Sequence, residues 1–374
     1  MDLLTADMIA KLVFTKAYKT TIEKFTEATF AKIKVLRDKI WNKFRVNQEA
    51  NDIKQAFAAT MVNIAREVPP HPNREFIDSV KYTIPHLREV AQNLSDVLPD
   101  KDFIWIFAAL GFLYNSQSLY METETLCNQC LSLAKVRFGE NHLNIGTSLT
   151  NLAAIYHYQG RCSEAEVLLL QALDLEKHLN QLERYCSHIT LNNLAEVYRA
   201  QKRYSEAEPL YLQALELQKR HKGDEHSELS STLYNLAELY CNQKRYSEAE
   251  PLYLQALELG HSFEESKHPS LIAYMAGLAR LYHLQGRYSK SEHLYQQALE
   301  KGKNILDDKH PFLSPILINF AALYRDQERY IEANNLLQQA LEKSEHIYGV
   351  DHPNTKDLRQ RLIKIPDTIS PNDC

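Results

Sequence analysis

Glycine and proline are scarce in this chain of 374 residues, at 10 and 13, and only 6 cysteines are scattered along it. So little turn punctuation argues against a hairpin-rich β architecture and against glycine-rich phosphate loops; it favours helices joined by short connections. No GxxxxGK[ST] occurs, so no P-loop nucleotide site is expected. No apolar run reaches 18 residues and no secretory pattern opens the chain. Both absences point to a soluble protein of a reducing, cytoplasmic compartment. Positive charge is not in excess either. A total of 43 Lys/Arg against 48 Asp/Glu gives a net of −5 and no general reason to expect nucleic acid as a partner.

What is present is 44% hydrophobic and 24% charged, enough for a sizeable core. The charge is unevenly placed. Residues 1–45 carry ten Lys/Arg and five Asp/Glu, a net of +5, leaving a net of −10 on the remainder. Between Met8 and Phe44, apolar residues such as Ile9, Leu12, Ile22, Phe25, Ile33, Leu36 and Ile40 fall mostly at three- and four-residue spacing. Lys11, Lys16, Lys19, Lys24, Lys32, Lys39 and Lys43 fill the gaps. This predicts a basic amphipathic helical head over residues 1–66, suited to packing, self-association or a membrane surface. The breaker Val68-Pro69-Pro70-His71-Pro72 opens a linker and capping region over 67–106, with two short helices split near Pro85.

The fold is decided by an internal repeat. The 17 residues from Gln201 to Leu217 recur unchanged at 243–259, an offset of 42. At that offset Leu110, Leu152, Leu194, Leu236, Leu278 and Phe320 form one column. Gly111, Ala153, Ala195, Ala237, Ala279 and Ala321 form a second, and Tyr114, Tyr156, Tyr198, Tyr240, Tyr282 and Tyr324 a third. Six units therefore run without insertion over 107–358, followed by a tail at 359–374. Each reads as two helices. The second is expected to open with a capping box, Ser247 with Glu250, repeated at Ser163/Glu166, Ser205/Glu208 and Ser289/Glu292.

The positions Leu236, Ala237, Tyr240, Tyr246, Ala249, Tyr253 and Ala256, with their equivalents 42 residues away, resemble the tetratricopeptide repeat in the 42-residue form of kinesin light chains. The resemblance implies an all-α fold, a right-handed α-solenoid of six helix pairs whose first helices line a concave face. It also implies a ligand-binding role for the Asn before the motif Leu. That column is Asn151, Asn193, Asn235 and Asn319, interrupted by Ala109 and Gly277. An amide both donates and accepts, so the column can hold a peptide backbone; the same side chains can equally bridge neighbouring helices.

The two near-identical units, 191–217 and 233–259, differ at four of 27 positions: Asn192/Tyr234, Val197/Leu239, Arg199/Cys241 and Ala200/Asn242. Three of these lie where the family lines its groove. Glu196, Glu238, Arg280, His283 and Arg325 complete the candidate set, acidic in units three and four and basic in units five and six.

Other chemistry-bearing motifs have architectural readings. Cys127-Asn128-Gln129-Cys130 falls on packing columns and lacks a second ligand pair, so no metal or cofactor is expected. His142, His226, His268, His310 and His352 recur at the repeat spacing, with Arg184 in the missing slot, at loop–helix junctions. No catalytic residues are assigned. The sequence thus reads as a non-enzymatic scaffold or adaptor that takes a protein or peptide ligand in the groove. The alternative is a membrane-surface or effector protein in which the basic head acts and the repeats regulate.

Overall fold

The computed structural model describes residues 48–68, 72, 74–117, 119–179, 187–222, 229–261, 270–305, 313–348, 350 and 353–363. The lysine-rich stretch 8–44 lies outside them, as do His226, His268, His310, His352 and Arg184. Every regular element among the described residues is helical, in agreement with the all-α solenoid read from the repeat. None of these helices is long and apolar enough to cross a membrane. The chain divides into two compact units, residues 1–133 and 134–374.

The first unit contains α1 (Gln48–Glu67), α2 (Arg74–Val80), α3 (Ile84–Asn93), α4 (Phe103–Ser116) and most of α5 (Tyr120–Phe138). Pro85 sits in the first turn of α3, where its missing N–H removes no helix bond, so the expected split falls just before it. Helices α1, α3 and α4 pack together, burying Met61 and Val62 with Leu87, Val90, Leu110 and Leu113. Arg66 pairs with Asp102 at the edge of this core. Residues 48–66, the C-terminal part of the expected head, are therefore a packing element shared with the 67–106 segment.

The second unit is a stack of antiparallel pairs. These are α6 (Leu143–Tyr158) with α7 (Cys162–His178), α8 (Ser187–Ala200) with α9 (Tyr204–Lys222) and α10 (Leu229–Asn242) with α11 (Tyr246–His261). Next come α12 (Ser270–Leu284) with α13 (Tyr288–Ile305), then α14 (Leu313–Asp326) with α15 (Tyr330–Tyr348); α16 (Pro353–Ile363) closes the stack against α15. The alanine columns explain the close approach. Ala153, Ala195, Ala237 and Ala279 on the first helices, and Ala172, Ala214, Ala256 and Ala298 on the second, are all fully buried. A methyl is the largest group that lets facing backbones pass there. Ser291 takes the place of Ala207 and Ala249 and satisfies its hydroxyl by donating to the Ala279 carbonyl at 2.7 Å. At two joints a glycine sets how the second helix meets the next first helix. Cβ atoms on Gly260 and Gly302 would lie 2.8 Å and 2.5 Å from Leu271 and Leu313 Cδ2.

The turn within each pair repeats one backbone device. Gly160, Lys202, Lys244, Gly286 and Glu328 all have φ between 61° and 77°. The next residue's amide then closes on the tyrosine carbonyl five positions earlier, as Arg203 N to Tyr198 O at 2.8 Å.

This geometry corrects the expected capping box. The second helices begin at Cys162, Tyr204, Tyr246 and Tyr288, so each serine sits one residue inside the helix, and the cap before α7, Arg161, makes no side-chain cap bond. The left-handed residue turns the chain into its helix before the serine is reached. The glutamates are used elsewhere. Glu166, Glu208, Glu250 and Glu292 accept from Arg203, Arg245, Arg287 and Arg329 of the following repeat at 2.7–2.9 Å. Each of those arginines also stacks on its own repeat's tyrosine, with the guanidinium carbon 3.9–4.0 Å from the ring centroid.

Candidate functional site

Successive first helices α6, α8, α10, α12 and α14 approach one another more closely than successive second helices do, which places them on the inner side of the stack. All twelve candidate residues lie on these helices: Asn151 on α6, Asn192, Asn193, Glu196 and Arg199 on α8, Tyr234, Asn235 and Glu238 on α10. Arg280 and His283 are on α12, and Asn319 and Arg325 on α14.

The amide column behaves in two ways. Asn235 Nδ2 donates to Asn192 Oδ1 at 3.3 Å and so bridges repeats, the structural role that the amide chemistry also allows. Asn151, Asn193 and Asn319 are half-buried and, among the described residues, make no hydrogen bond to the chain through their amides. The break at Gly277 has a steric cause. A Cβ there would sit 2.8 Å from both Tyr234 Cε2 and Tyr253 Cε1, and 3.1 Å from Glu238 Oε1. Tyr234, which replaces Asn192, packs edge-on against Tyr253 (centroids 5.8 Å) and tilted against Tyr274 (5.1 Å). Its ring fills the space that an asparagine at 277 would need.

Four of the charged candidates form a ladder. Glu196 pairs with Arg199 at 2.8 Å, Arg199 lies 4.0 Å from Glu238, and Glu238 pairs with Arg280 at 2.7 Å. The Tyr211 hydroxyl donates to Glu196 and the Tyr253 hydroxyl to Glu238. Burial pushes the Glu196 carboxyl up, but Arg199 and the Tyr211 hydroxyl outweigh it and hold the group below the usual carboxylate range. Burial likewise disfavours the Arg199 cation, and Glu196 outweighs it, so this rung stays ionised. Burial lowers His157 beside it, against the pull of Glu196. Where the tyrosine column reaches Tyr295, the opposite residue is Arg280 instead of a glutamate, and the Tyr295 hydroxyl is buried with no partner among the described residues.

His283 and Arg325 do not join this ladder. They meet through Asp326, at 2.9 Å and 3.2 Å. Asp326 is exposed and follows the column by one residue, so nothing in its spacing marks it as a candidate. The inter-repeat pairing of Glu238 with Arg280, 42 residues apart, is legible in the sequence only as opposite signs in one column.

The remaining motifs are structural. Cys127 and Cys130 are buried on α5, and burial, with Cys130 and Glu124 nearby, pushes the Cys127 thiol up to about 12. His142 caps α6 by accepting the Asn144 amide at 3.2 Å, with its ring stacked on Phe138. No cluster of metal-ligating side chains occurs among the described residues.

A tetratricopeptide-repeat family profile matches residues 102–177, 187–259 and 228–304, and a second one matches 316–354. The chain belongs to the tetratricopeptide-repeat family. Among solved structures, a tetratricopeptide-like putative kinesin light chain of Podospora anserina with nearly identical repeats is 26% identical. It covers 54% of this chain and 94% of its own, with a TM-score of 0.44. A Rap protein complexed with competence and sporulation factor is 16% identical over 96% of this chain and 97% of its own, TM-score 0.56. The apo form of RapI is 17% identical over 79% and 98%, TM-score 0.57. No curated protein matches the chain. The likeness to the two Rap structures is one of fold alone.

Proposed function

We propose that this protein is a non-enzymatic scaffold whose inner face, over repeats two to four, binds an extended peptide or partner segment. The observation that carries this reading is the pair Asn151 and Asn193, half-buried amides at one repeat position with no hydrogen bond within the described chain. A half-buried amide without an internal partner retains donor and acceptor capacity for a ligand backbone, which presents both in alternation. Each bond contributes ~0.5–1.5 kcal/mol, so two or three amides set direction and spacing while side-chain contacts supply the rest of the affinity.

A Rap protein of the same fold has been solved with competence and sporulation factor bound, and that complex is compatible with a ligand-holding role for this solenoid. The test is affinity capture with the intact chain beside an Asn151→Ala/Asn193→Ala variant, read by mass spectrometry. A partner held by the first and lost by the second supports the face as the binding site. Identical captures overturn it and direct attention to residues 1–66, the segment suited to self-association or to a membrane surface.

A further inference from the structure

Resting on that reading, we infer that the ligand segment seated on repeats two to four is uncharged, and that Arg199 and, reaching in from the fifth repeat, Arg280 enforce this. Four charged side chains line the face beside the amides, and all four are already matched: Glu196 with Arg199, and Glu238 with Arg199 and Arg280. Two acids and two bases sum to zero. The carboxylates are further held by the Tyr211 and Tyr253 hydroxyls. Their side chains are only 12–26% exposed, so little water screens the pairs.

A ligand charge placed here must displace one partner of a pair, and the group it leaves behind is then stranded in a half-dry setting. A cationic side chain competes with Arg199 or Arg280 for a carboxylate, and an anionic one competes with Glu196 or Glu238 for a guanidinium. Neither exchange gains an interaction. An uncharged segment meets the free amides of Asn151 and Asn193 and the edge of Tyr234 without breaking anything. The ladder thus acts by exclusion: specificity comes from what is penalised as much as from what is attracted. The second charged group on these helices, His283 with Asp326 and Arg325, is likewise internally paired.

This fixes what would change the preference. Arg280→Gln removes the direct partner of Glu238 and leaves Arg199 at 4.0 Å as its remaining cation. The face then carries a net negative charge and should admit a Lys or Arg.

The experiment pans a random dodecapeptide display library on the immobilised full chain, in parallel with Asn151→Ala/Asn193→Ala and Arg280→Gln variants whose helicity is checked by circular dichroism. Arg199→Gln serves as a second ladder variant, acting on the other rung. The expected result on the natural chain is enrichment of peptides depleted in Asp, Glu, Lys and Arg at their centre and lost on the asparagine variant. Their affinity should change less than about twofold between about 50 and about 500 mM NaCl. On either ladder variant, enrichment should shift to peptides carrying a basic residue, with affinity falling roughly three- to tenfold over the same salt range. Enrichment of charged, salt-sensitive peptides on the natural chain, still lost on the asparagine variant, would overturn the neutral-ligand inference and leave the binding face standing. Peptides retained by the asparagine variant, or no enrichment at all, would overturn both.

Discussion

Glu166 and Arg203 are 37 positions apart in sequence and 2.8 Å apart in space. The same relationship joins Glu208 to Arg245, Glu250 to Arg287 and Glu292 to Arg329, so one contact is copied at every interface from the second repeat to the sixth. In each case the arginine does three things. It spans to the previous repeat, stacks on its own tyrosine and, except in the fifth repeat, donates to the glutamate three residues on.

A planar fork that also stacks cannot be replaced by a point charge. Arg245→Lys should therefore destabilise the array nearly as much as Arg245→Ala, while Glu208→Gln, which keeps one acceptor, costs less. Because the group is one-third exposed, solvent screening limits the Glu208–Arg245 coupling in a double-mutant cycle to below about 1 kcal/mol. Urea unfolding of the four proteins measures it. A lysine variant as stable as the natural chain would show that charge alone carries the contact.

The helix pairs are legible in the amino-acid sequence because identical residues 42 apart must occupy identical places in a stack. Spacing alone assigns Leu236, Ala237 and Tyr240 to a packed first helix, and they are buried there. What spacing does not encode is a partner in the next unit. Ser247 and Glu250 match a capping box locally, yet the carboxylate reaches Arg287, because the left-handed Lys244 starts the helix early. Glu196, Arg199, Glu238 and Arg280 are recognisable as candidates by column, but their signs read as a gradient along the groove. Only their distances show a closed set of pairs. Gly277 is a gap in the asparagine column, and in space it is the room taken by Tyr234.

The turn position offers a direct comparison of residue types in one conformation. Gly286 has φ 74° and Lys244 φ 62°, in equivalent turns. A side chain in this left-handed region costs roughly 1–2 kcal/mol, whereas glycine adopts it freely but loses more conformational entropy on folding. Gly286→Ala should lower stability by about 1 kcal/mol. Lys244→Gly should leave it unchanged or slightly raised, since the relief of strain offsets the added chain entropy. Thermal melts of the two variants check the pair, and a stabilised Gly286→Ala would refute the assignment of strain to this position.

Gly277 and Tyr234 should be coupled. Adding even a methyl at 277 forces the Tyr234 and Tyr253 rings to move, and overpacking of this kind costs about 1–3 kcal/mol. Gly277→Asn alone should therefore be destabilised. Adding Tyr234→Asn, which restores the pairing that Asn192 and Asn235 already show, should recover much of the loss, although Tyr253 still borders the site. Chemical denaturation of the single and double variants tests this, and additive losses would mean that Tyr234 does not occupy the space.

Glu176 predicts a pH dependence of opposite sign to that of Glu196. It is buried between α7 and α8, accepts from the Thr190 hydroxyl at 2.9 Å, and its Oε2 has no partner among the described residues. Burial raises its pKa, and the hydroxyls of Thr190 and Ser187 offset this only in part. A carboxyl whose folded pKa lies above its unfolded value binds its proton more tightly when folded. Its stabilising contribution is complete below the unfolded pKa and is lost as pH rises through the folded one. At neutral pH the folded protein therefore holds either a desolvated charge or a proton that the unfolded chain has released. Gln218 occupies the same repeat position one unit later, so an amide fits the site by precedent. Glu176→Gln should raise stability at pH 7 by about 1 kcal/mol, and the gain should vanish as pH falls below the ordinary carboxylate range. Glu196→Gln should do the reverse: its depressed pKa stabilises the fold above the unfolded value, so the variant is weaker by about 1.5–3 kcal/mol at pH 7 and converges on the natural chain in acid. Melting curves of both variants from pH 8 down to about pH 3 distinguish a carboxyl whose pKa burial raises from one whose pKa its partners lower, and equal slopes for the two would overturn the distinction.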